Sequence, residues 1–201
     1  FRDSGVCVGD RVGYLGFNHP ALLETVFAAQ ALGAIFVPLN YRLTAQELTF
    51  IINDAGIHSL VVDDACRPAL EAAREQLFCR HYFSAESEVA GWRHLHSERM
   101  QVEPIVDVVC VDQHDTAVIM YTSGTTGLPK GAMLTHGNLI WNNINSSMAF
   151  GGARDDVILT VAPMFHIGGL NVMTLHSFHV GAKVVLLRNF DPVEVLESFQ
   201  R

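Results

Sequence analysis

One short segment of the chain, residues 122–131, combines residue types that can hold a phosphate group. Its ten positions contain three glycines, four hydroxyl residues and one lysine. Glycines let backbone N–H groups converge on an anion without a Cβ in the way. Hydroxyl groups can donate to phosphate oxygens or ligate Mg²⁺, and a lysine adds a positive point charge. The side chains with these groups are Thr122, Ser123, Thr125, Thr126 and Lys130. The segment therefore predicts a phosphate-binding loop.

The order of these residues differs from that of a Walker A loop. Pro129 stands where that motif needs its second glycine, and Gly131 follows the lysine. The segment also lacks the Gly-x-Gly-x-x-Gly pattern of dinucleotide sites. An alternative is a flexible surface loop that is merely rich in Ser, Thr and Gly. We favour phosphate binding, because flexible linkers seldom join a buried strand to a helix or end in Pro-Lys-Gly.

Apolar runs and amphipathic stretches alternate along the chain and indicate the elements that position this loop. The patterns predict strands at residues 11–17, 34–39, 58–63, 117–121, 157–161 and 183–187. They predict helices at residues 20–32, 44–54, 68–78, 135–149 and 169–179, with another starting at Asp191. Thr44 and Glu47 have the spacing of a capping box. The polar, His-rich residues 84–112 are expected to form an irregular surface excursion.

Near-continuous hydrophobic strands separated by helices are typical of an α/β fold. They predict a mostly parallel sheet with helices on both faces. In such sheets ligands bind at the carboxyl ends of the strands. A loop that follows Tyr121, at the end of a predicted strand, is therefore well placed to contact a ligand.

Composition excludes some classes of function. The net charge of −8, with scattered basic residues, argues against a nucleic-acid-binding face. The first residues do not form a signal peptide and no run of 18 apolar residues occurs, so we expect a cytoplasmic protein with no transmembrane segment. The four cysteines are widely spaced and are predicted to be reduced, buried thiols. They are Cys7, Cys66, Cys79 and Cys110.

The sequence Tyr-Thr-Ser-Gly-Thr-Thr-Gly-Leu-Pro-Lys-Gly at 121–131 closely resembles the signature loop of the acyl-adenylate-forming superfamily. That superfamily includes acyl-CoA synthetases, luciferases and nonribosomal peptide adenylation domains. Residues 32–44, 162–170 and 181–192 resemble further core segments of acyl-CoA synthetases, in the correct order. Because the four segments extend over nearly the whole chain, the resemblance implies the fold of an adenylate-forming enzyme.

The resemblance also implies a reaction. Enzymes of this family let a carboxylate attack the α-phosphate of ATP, which gives an acyl-adenylate and pyrophosphate. A thiol, usually that of coenzyme A, then displaces AMP. The expected substrates and cofactors are thus ATP, Mg²⁺, coenzyme A and a carboxylic acid, with a fatty acid favoured. The loop would hold the departing phosphates, and such chemistry mainly needs positioning and charge neutralisation from the protein.

Matching the family's motif position by position gives the candidate site residues. The cofactor-binding set is Thr122, Ser123, Gly124, Thr125, Thr126, Gly127 and Lys130. Thr122 is the expected partner of Mg²⁺, and Lys130 would also act in catalysis. The alternatives are a solvated lysine and glycines that serve turn geometry alone.

His166 matches the family's histidine beside the acyl pocket, which implies a gating or substrate-contact role and makes it a candidate catalytic residue. Its apolar neighbours in sequence fit such a pocket, and Gly168 and Gly169 would let backbone approach a ligand. A satisfied core histidine is the alternative. The predicted helix at residues 169–179 would form part of the acyl-binding wall or, equally, an ordinary core face.

Both ends of the chain look cut, and the resemblance makes residues 1–201 a part of an N-terminal AMP-binding domain. The family's adenine pocket and its mobile C-terminal domain with a catalytic lysine would follow. We therefore expect this piece alone to bind ATP weakly at best and to be inactive. Alternatives are a ligase that uses a carrier protein, an aryl-acid CoA ligase and a non-catalytic nucleotide-binding module. The sequence leaves a homodimer open.

Overall fold

The computed structural model describes residues 1–104, 106–123 and 127–200. Within these ranges nine strands form one seven-stranded sheet and one two-stranded sheet. The strands are β1 Arg11–Leu15, β2 Ile35–Leu39, β3 Ile57–Val62, β4 His81–Ser84, β5 Arg93–His94, β6 Thr116–Thr122, β7 Lys130–Thr135, β8 Val157–Thr160 and β9 Lys183–Leu186. The α-helices are α1 Pro20–Ala31, α2 Ala45–Asp54, α3 Arg67–Glu71, α4 Leu95–Met100, α5 His136–Phe150, α6 His176–Val180 and α7 Pro192–Ser198. Two 3₁₀ turns lie at Arg2–Ser4 and Arg74–Gln76, and a π-helix at Gly168–Leu175.

The large sheet has the strand order β5-β4-β3-β1-β2-β6-β7. Its neighbouring strands are parallel except for β6 and β7, which are antiparallel. Strands β8 and β9 pair in parallel as the second sheet. The prediction of an α/β fold with a mostly parallel sheet is confirmed.

Helices cover both faces of the large sheet. Consecutive side chains of a strand point to opposite faces, so each strand packs against helices on both sides. Tyr14 and Phe36 pack on one face in a cluster that includes residues of α1 and α5. The adjacent residues Leu15 and Val37 pack on the other face in a cluster that includes residues of α2 and α3. Strands buried on two sides need apolar residues at nearly every position, which is the pattern that the sequence shows.

The predicted helix starts at Thr44 and Asp191 are confirmed. The Thr44 Oγ1 atom accepts from the Glu47 backbone N–H at 3.3 Å, while the Glu47 carboxylate accepts from the Thr44 N–H at 2.8 Å. The Asp191 side chain accepts from the N–H groups of Val193 and Glu194 at the start of α7. In both cases a side chain satisfies N–H groups that the first helical turn leaves unpaired.

Three parts of the sequence interpretation were wrong. The helix predicted at residues 135–149 is confirmed as α5, but the strand β7 precedes it, so the loop joins two antiparallel strands rather than a strand and a helix. The expected irregular excursion contains β5 and α4, preceded by β4. The predicted helix at residues 169–179 begins as a π-helix and only its last part is α-helical. The missed strands and α4 are short or polar and have little periodicity of their own, whereas the π-helix keeps the apolar spacing of an α-helix.

The small sheet is attached to the large one by charged groups. After β9, the guanidinium of Arg188 lies 2.7 Å from a carboxylate oxygen of Asp63, which is fully buried at the end of β3. The same guanidinium lies 2.9 Å from Glu86. The ring of Phe17 lies beneath it, 5.0 Å from the Arg188 Cζ atom to the ring centre.

All four cysteines are unpaired. Cys66 and Cys79 are buried, and burial raises the pKa of each thiol to about 11. Cys7 and Cys110 are exposed, so the expectation of burial was wrong for these two. In the described ranges we find no helix with the length and apolarity needed to cross a bilayer.

Candidate active site

A cavity of about 410 Å³ lies at the carboxyl ends of β2 and β6. Strands β2, β6 and β7, helix α2 and the loop before the π-helix contribute to its walls. The lining residues are Pro38, Leu39, Asn40, Leu43, Ile51, Met120, Tyr121, Thr122, Ser123, Ala132, Leu134, Phe165, His166 and Ile167. Two members of the predicted phosphate loop, Thr122 and Ser123, thus share one cavity with His166, which follows them by more than forty positions.

The β6–β7 hairpin determines which side chains of the loop are neighbours. Met120 lies opposite Ala132, and Thr122 lies opposite Lys130. Opposite residues of an antiparallel pair project to the same face, with Cβ atoms about 4.5–5.5 Å apart. Lys130 therefore continues the face that Met120, Thr122 and Ala132 present to the cavity, although Lys130 itself is exposed and does not line it.

The opposite face of the hairpin fixes it against α2. The Tyr121 hydroxyl donates to the Asp54 carboxylate at 2.5 Å. Burial, followed by this hydrogen bond, raises the pKa of the Tyr121 phenol. A Cβ on Gly131 would lie only 2.7 Å from Ile119 Cγ2 and 3.1 Å from the Tyr121 ring. A larger residue at position 131 would thus displace the side chains of Ile119 or Tyr121. The sequence did not reveal this contact, because Asp54 and Tyr121 are 67 positions apart.

Gly127, a further predicted member of the loop, does not line the cavity. Gly127 has a φ of +91°, a left-handed conformation that favours glycine. No heavy atom would contact a Cβ built there, so conformation is the constraint rather than space. Gly124, Thr125 and Thr126 lie outside the described residues. Thr122 and Ser123 are exposed, and their hydroxyl oxygens suit a phosphate or Mg²⁺.

His166 is exposed on the cavity wall, which excludes the alternative of a core histidine. Its Nδ1 atom accepts a hydrogen bond from the backbone N–H of Gly168 at 3.2 Å. A neutral imidazole that accepts at Nδ1 carries its proton on Nε2 and can donate from there. The geometry therefore makes His166 a hydrogen-bond donor.

Gly169 serves the loop itself, contrary to the expectation that it faces a ligand. A Cβ at this position would come within 2.6 Å of the Ala162 carbonyl oxygen and would also clash with that of Pro163. The absence of a side chain lets the start of the π-helix pack directly on the strand-to-helix loop. This close packing supports the segment that carries His166.

A cation and two aromatic rings stand beside the cavity. The Phe165 ring, in the cavity wall, meets Tyr41 edge to face at 5.3 Å between ring centres. The Arg42 Cζ atom lies 5.5 Å from the centre of the Tyr41 ring and 5.7 Å from that of Phe165. From the sequence, Phe165 was expected beside His166 in the acyl pocket, whereas Tyr41 and Arg42 had no expected role. A guanidinium next to the cavity favours anionic ligands such as carboxylates and phosphates.

The cavity combines an apolar wall with hydroxyl and imidazole groups, and the Arg42 guanidinium lies beside it. Such an arrangement can hold a hydrocarbon body while its polar groups orient an anionic end. Within the described ranges there is no group of three or more His, Cys, Asp or Glu side chains that could hold a metal ion.

Comparison with known proteins assigns this fold to a family. A family model described as AMP-binding enzyme matches residues 1–201. The feruloyl-CoA synthase of an Amycolatopsis species is 38% identical over 203 residues, which is 100% of this chain and 38% of that protein. The long-chain-fatty-acid–CoA ligase of Thermus thermophilus is 37% identical over 201 residues, covering 98% of this chain and 37% of that protein.

A solved structure agrees with the sequence relatives. The ATP-bound MatB protein of Rhodopseudomonas palustris superposes with a TM-score of 0.86 at 29% identity, over 100% of this chain and 39% of that one. The chain therefore spans less than half the length of the proteins that it matches.

Proposed function

Because the chain belongs to the AMP-binding enzyme family, we propose that it is part of a ligase that activates a carboxylic acid with ATP and transfers the acyl group to coenzyme A. The observation that carries this proposal is the shared cavity of Thr122, Ser123 and His166. It places a predicted phosphate-holding group and a predicted acid-contacting group beside the same space, as a reaction between an acid and a nucleotide requires.

The hairpin residues would hold the nucleotide phosphates. Thr122 and Lys130 are cross-strand neighbours, so a hydroxyl and an ammonium group stand together on one face. Thr122, Ser123 and Gly127 would contact phosphate oxygens, and Lys130 would offset the charge that develops on the departing pyrophosphate. We propose the same contacts for Gly124, Thr125 and Thr126. Mg²⁺, when bound beside Thr122, would neutralise further phosphate charge.

The apolar part of the cavity would hold the acid. Met120, Leu134 and Ile167 provide hydrocarbon surface, and the exposed imidazole of His166 would donate from Nε2 to the carboxylate. We propose a fatty acid as the substrate, since the lining carries few polar groups. An aryl acid is the competing outcome, which the Phe165 ring would accommodate by stacking.

We also propose that residues 1–201 form part of an N-terminal AMP-binding domain, since relatives are more than twice as long as this chain. Coenzyme A is the proposed acceptor, and a carrier protein is the competing one. A cytoplasmic location is supported by four unpaired cysteines.

The test is acid-dependent exchange of pyrophosphate into ATP, catalysed by the full-length protein that contains this chain. A panel of fatty acids of increasing length and of aryl acids identifies the substrate class. Lys130→Met should lower the exchange rate about 100-fold, because it removes a charge that is needed in the transition state.

Lys183→Met is the matched control, since Lys183 is the other lysine of the chain and lies exposed at the start of β9. It should leave exchange unchanged. Full-length protein that binds ATP in a thermal-shift assay but exchanges no pyrophosphate with any acid would support a non-catalytic nucleotide-binding module instead.

A further inference from the structure

We propose that Asn18 is a positioning residue that holds Phe165 and His166 in the cavity wall. It would do so by fixing the backbone of the loop that carries them. This inference rests on the proposed function for its catalytic consequence, but the anchoring itself follows from geometry alone. Asn18 lies just after β1 and is only 6% exposed.

The Asn18 amide makes three hydrogen bonds to backbone groups that are distant in sequence. Its Nδ2 atom donates to the Ala162 carbonyl at 3.0 Å and to the Leu187 carbonyl at 3.1 Å. Its Oδ1 atom accepts from the Met164 N–H at 2.8 Å. Both N–H bonds of the amide are thus in use, which only a carboxamide side chain can match at this length.

These bonds fix the loop at two places. Ala162 and Met164 flank Pro163, which has no N–H group to donate. Asn18 holds the two residues from the side of the large sheet, while Gly169 packs against the Ala162 carbonyl. The chain then runs directly into Phe165 and His166, so the position of both side chains depends on this anchor.

Asn53 provides a matched control for the same chemistry elsewhere. Its Nδ2 atom donates to the Gln76 carbonyl at 2.9 Å, and its Oδ1 atom accepts from the Phe78 N–H at 2.9 Å. It therefore also ties distant backbone segments through both ends of a carboxamide. Its partners do not line the cavity.

The experiment compares Asn18→Asp with Asn53→Asp in the full-length protein. Aspartate keeps the shape of asparagine and the oxygen that accepts from Met164. Its second oxygen replaces the donor Nδ2 and would face the carbonyl oxygens of Ala162 and Leu187, which need a donor. For Asn18→Asp we expect the KM for the carboxylic acid to rise about tenfold while the KM for ATP changes less than about twofold. Backbone amide exchange over residues 162–167 should become faster. Asn53→Asp should change neither quantity.

A merely structural asparagine would lower the amount of active enzyme and leave the KM for the acid unchanged, which would overturn the catalytic part of the proposal. Unchanged amide exchange at residues 162–167 would overturn the anchoring part. If the wild-type protein shows no acid-dependent exchange at all, the proposed function fails. The amide-exchange comparison then still decides whether Asn18 anchors the loop.

Discussion

The seven-stranded and the two-stranded sheets are stabilised in different ways. In the large sheet Leu15, Phe36 and Leu60 are completely buried between helices. In the small sheet Val157 of β8 is 61% exposed, and β9 has one exposed and three half-buried residues. The small sheet is connected to the large one through the ion pair of Arg188 with Asp63 and the hydrogen bonds of Asn18. Leu186 of β9 also packs against the core of the large sheet.

This difference shows that apolar burial and polar contacts have different roles in the molecule. Burial of apolar surface is non-directional and supplies most of the free energy of folding, so it can define the large sheet as a whole. Hydrogen bonds and ion pairs contribute less but depend steeply on geometry. They are therefore suited to holding the loop of Phe165 and His166 in one position against the hairpin of Thr122 and Lys130.

The largest expected effect tests the core of the large sheet. Phe36→Ala should lower the free energy of unfolding by about 3–5 kcal/mol, because it leaves a cavity between β2 and α1. Phe78→Ala, at a phenylalanine that is 79% exposed, should change it by less than about 0.5 kcal/mol. Urea denaturation of both variants measures the contrast. If both variants lost the same free energy of unfolding, burial would not explain the contribution of Phe36.

A smaller effect is expected where the two sheets join. Arg188→Met removes the cation beside the buried Asp63 carboxylate and should cost about 2 kcal/mol, below the value for a fully buried pair because Arg188 is partly exposed. A double-mutant cycle with Asp63→Asn isolates the pair. The same cycle with Arg2→Met and Asp3→Asn is the control, since that pair is 3.9 Å long and largely exposed. A coupling energy as small as that of the control would show that the ion pair does not hold the sheets together.

A still smaller loss of stability is expected at the start of α2, a helix that covers the large sheet. Thr44→Ala removes the side-chain acceptor for the Glu47 N–H and should cost about 1 kcal/mol. Thr44→Ser retains the hydroxyl and should cost little. Thermal unfolding of the two variants provides the measurement. A similar loss in both would assign the effect to the methyl group of threonine rather than to the cap.

The smallest expected effect is a pH dependence at the edge of the large sheet. Burial, and then the charge of His58, lower the pKa of His81 on β4. The unfolded chain, with a histidine pKa of about 6.5, then binds the proton more readily than the folded one. Stability should fall as the pH drops below about 6.5, and the loss is complete below the folded pKa.

His81→Asn should reduce the difference in Tm between about pH 7.5 and about pH 5.5 by roughly 1 °C. Part of the dependence should persist, because burial also lowers the pKa of His136. If Tm depended on pH in the variant as it does in the wild type, His81 would not contribute to the pH dependence of stability.

Much of the fold could be predicted from the sequence, and particular residues show why. The buried strands β1, β2 and β3 are near-continuous apolar runs. Thr44 and Asp191 mark helix starts through local contacts. Strand β7 was not predicted, because with Gly131 and the exposed Lys130 its sequence lacks the alternation of apolar and polar residues that indicates a strand. The π-helix escaped as well, because its residues have the same apolar spacing as an α-helix.

The sequence by itself predicted the type of chemistry proposed for the candidate site, since the hydroxyls, glycines and lysine of one loop are contiguous. It also indicated His166 by resemblance. Only the tertiary structure decided which groups share a space. Thr122 and His166 line one cavity, Tyr121 is tied to Asp54, and Asn18 holds the loop at Ala162 and Met164. The residues in these pairs are 44 to 146 positions apart. Local sequence patterns carry no information about side chains that come together only when the chain folds.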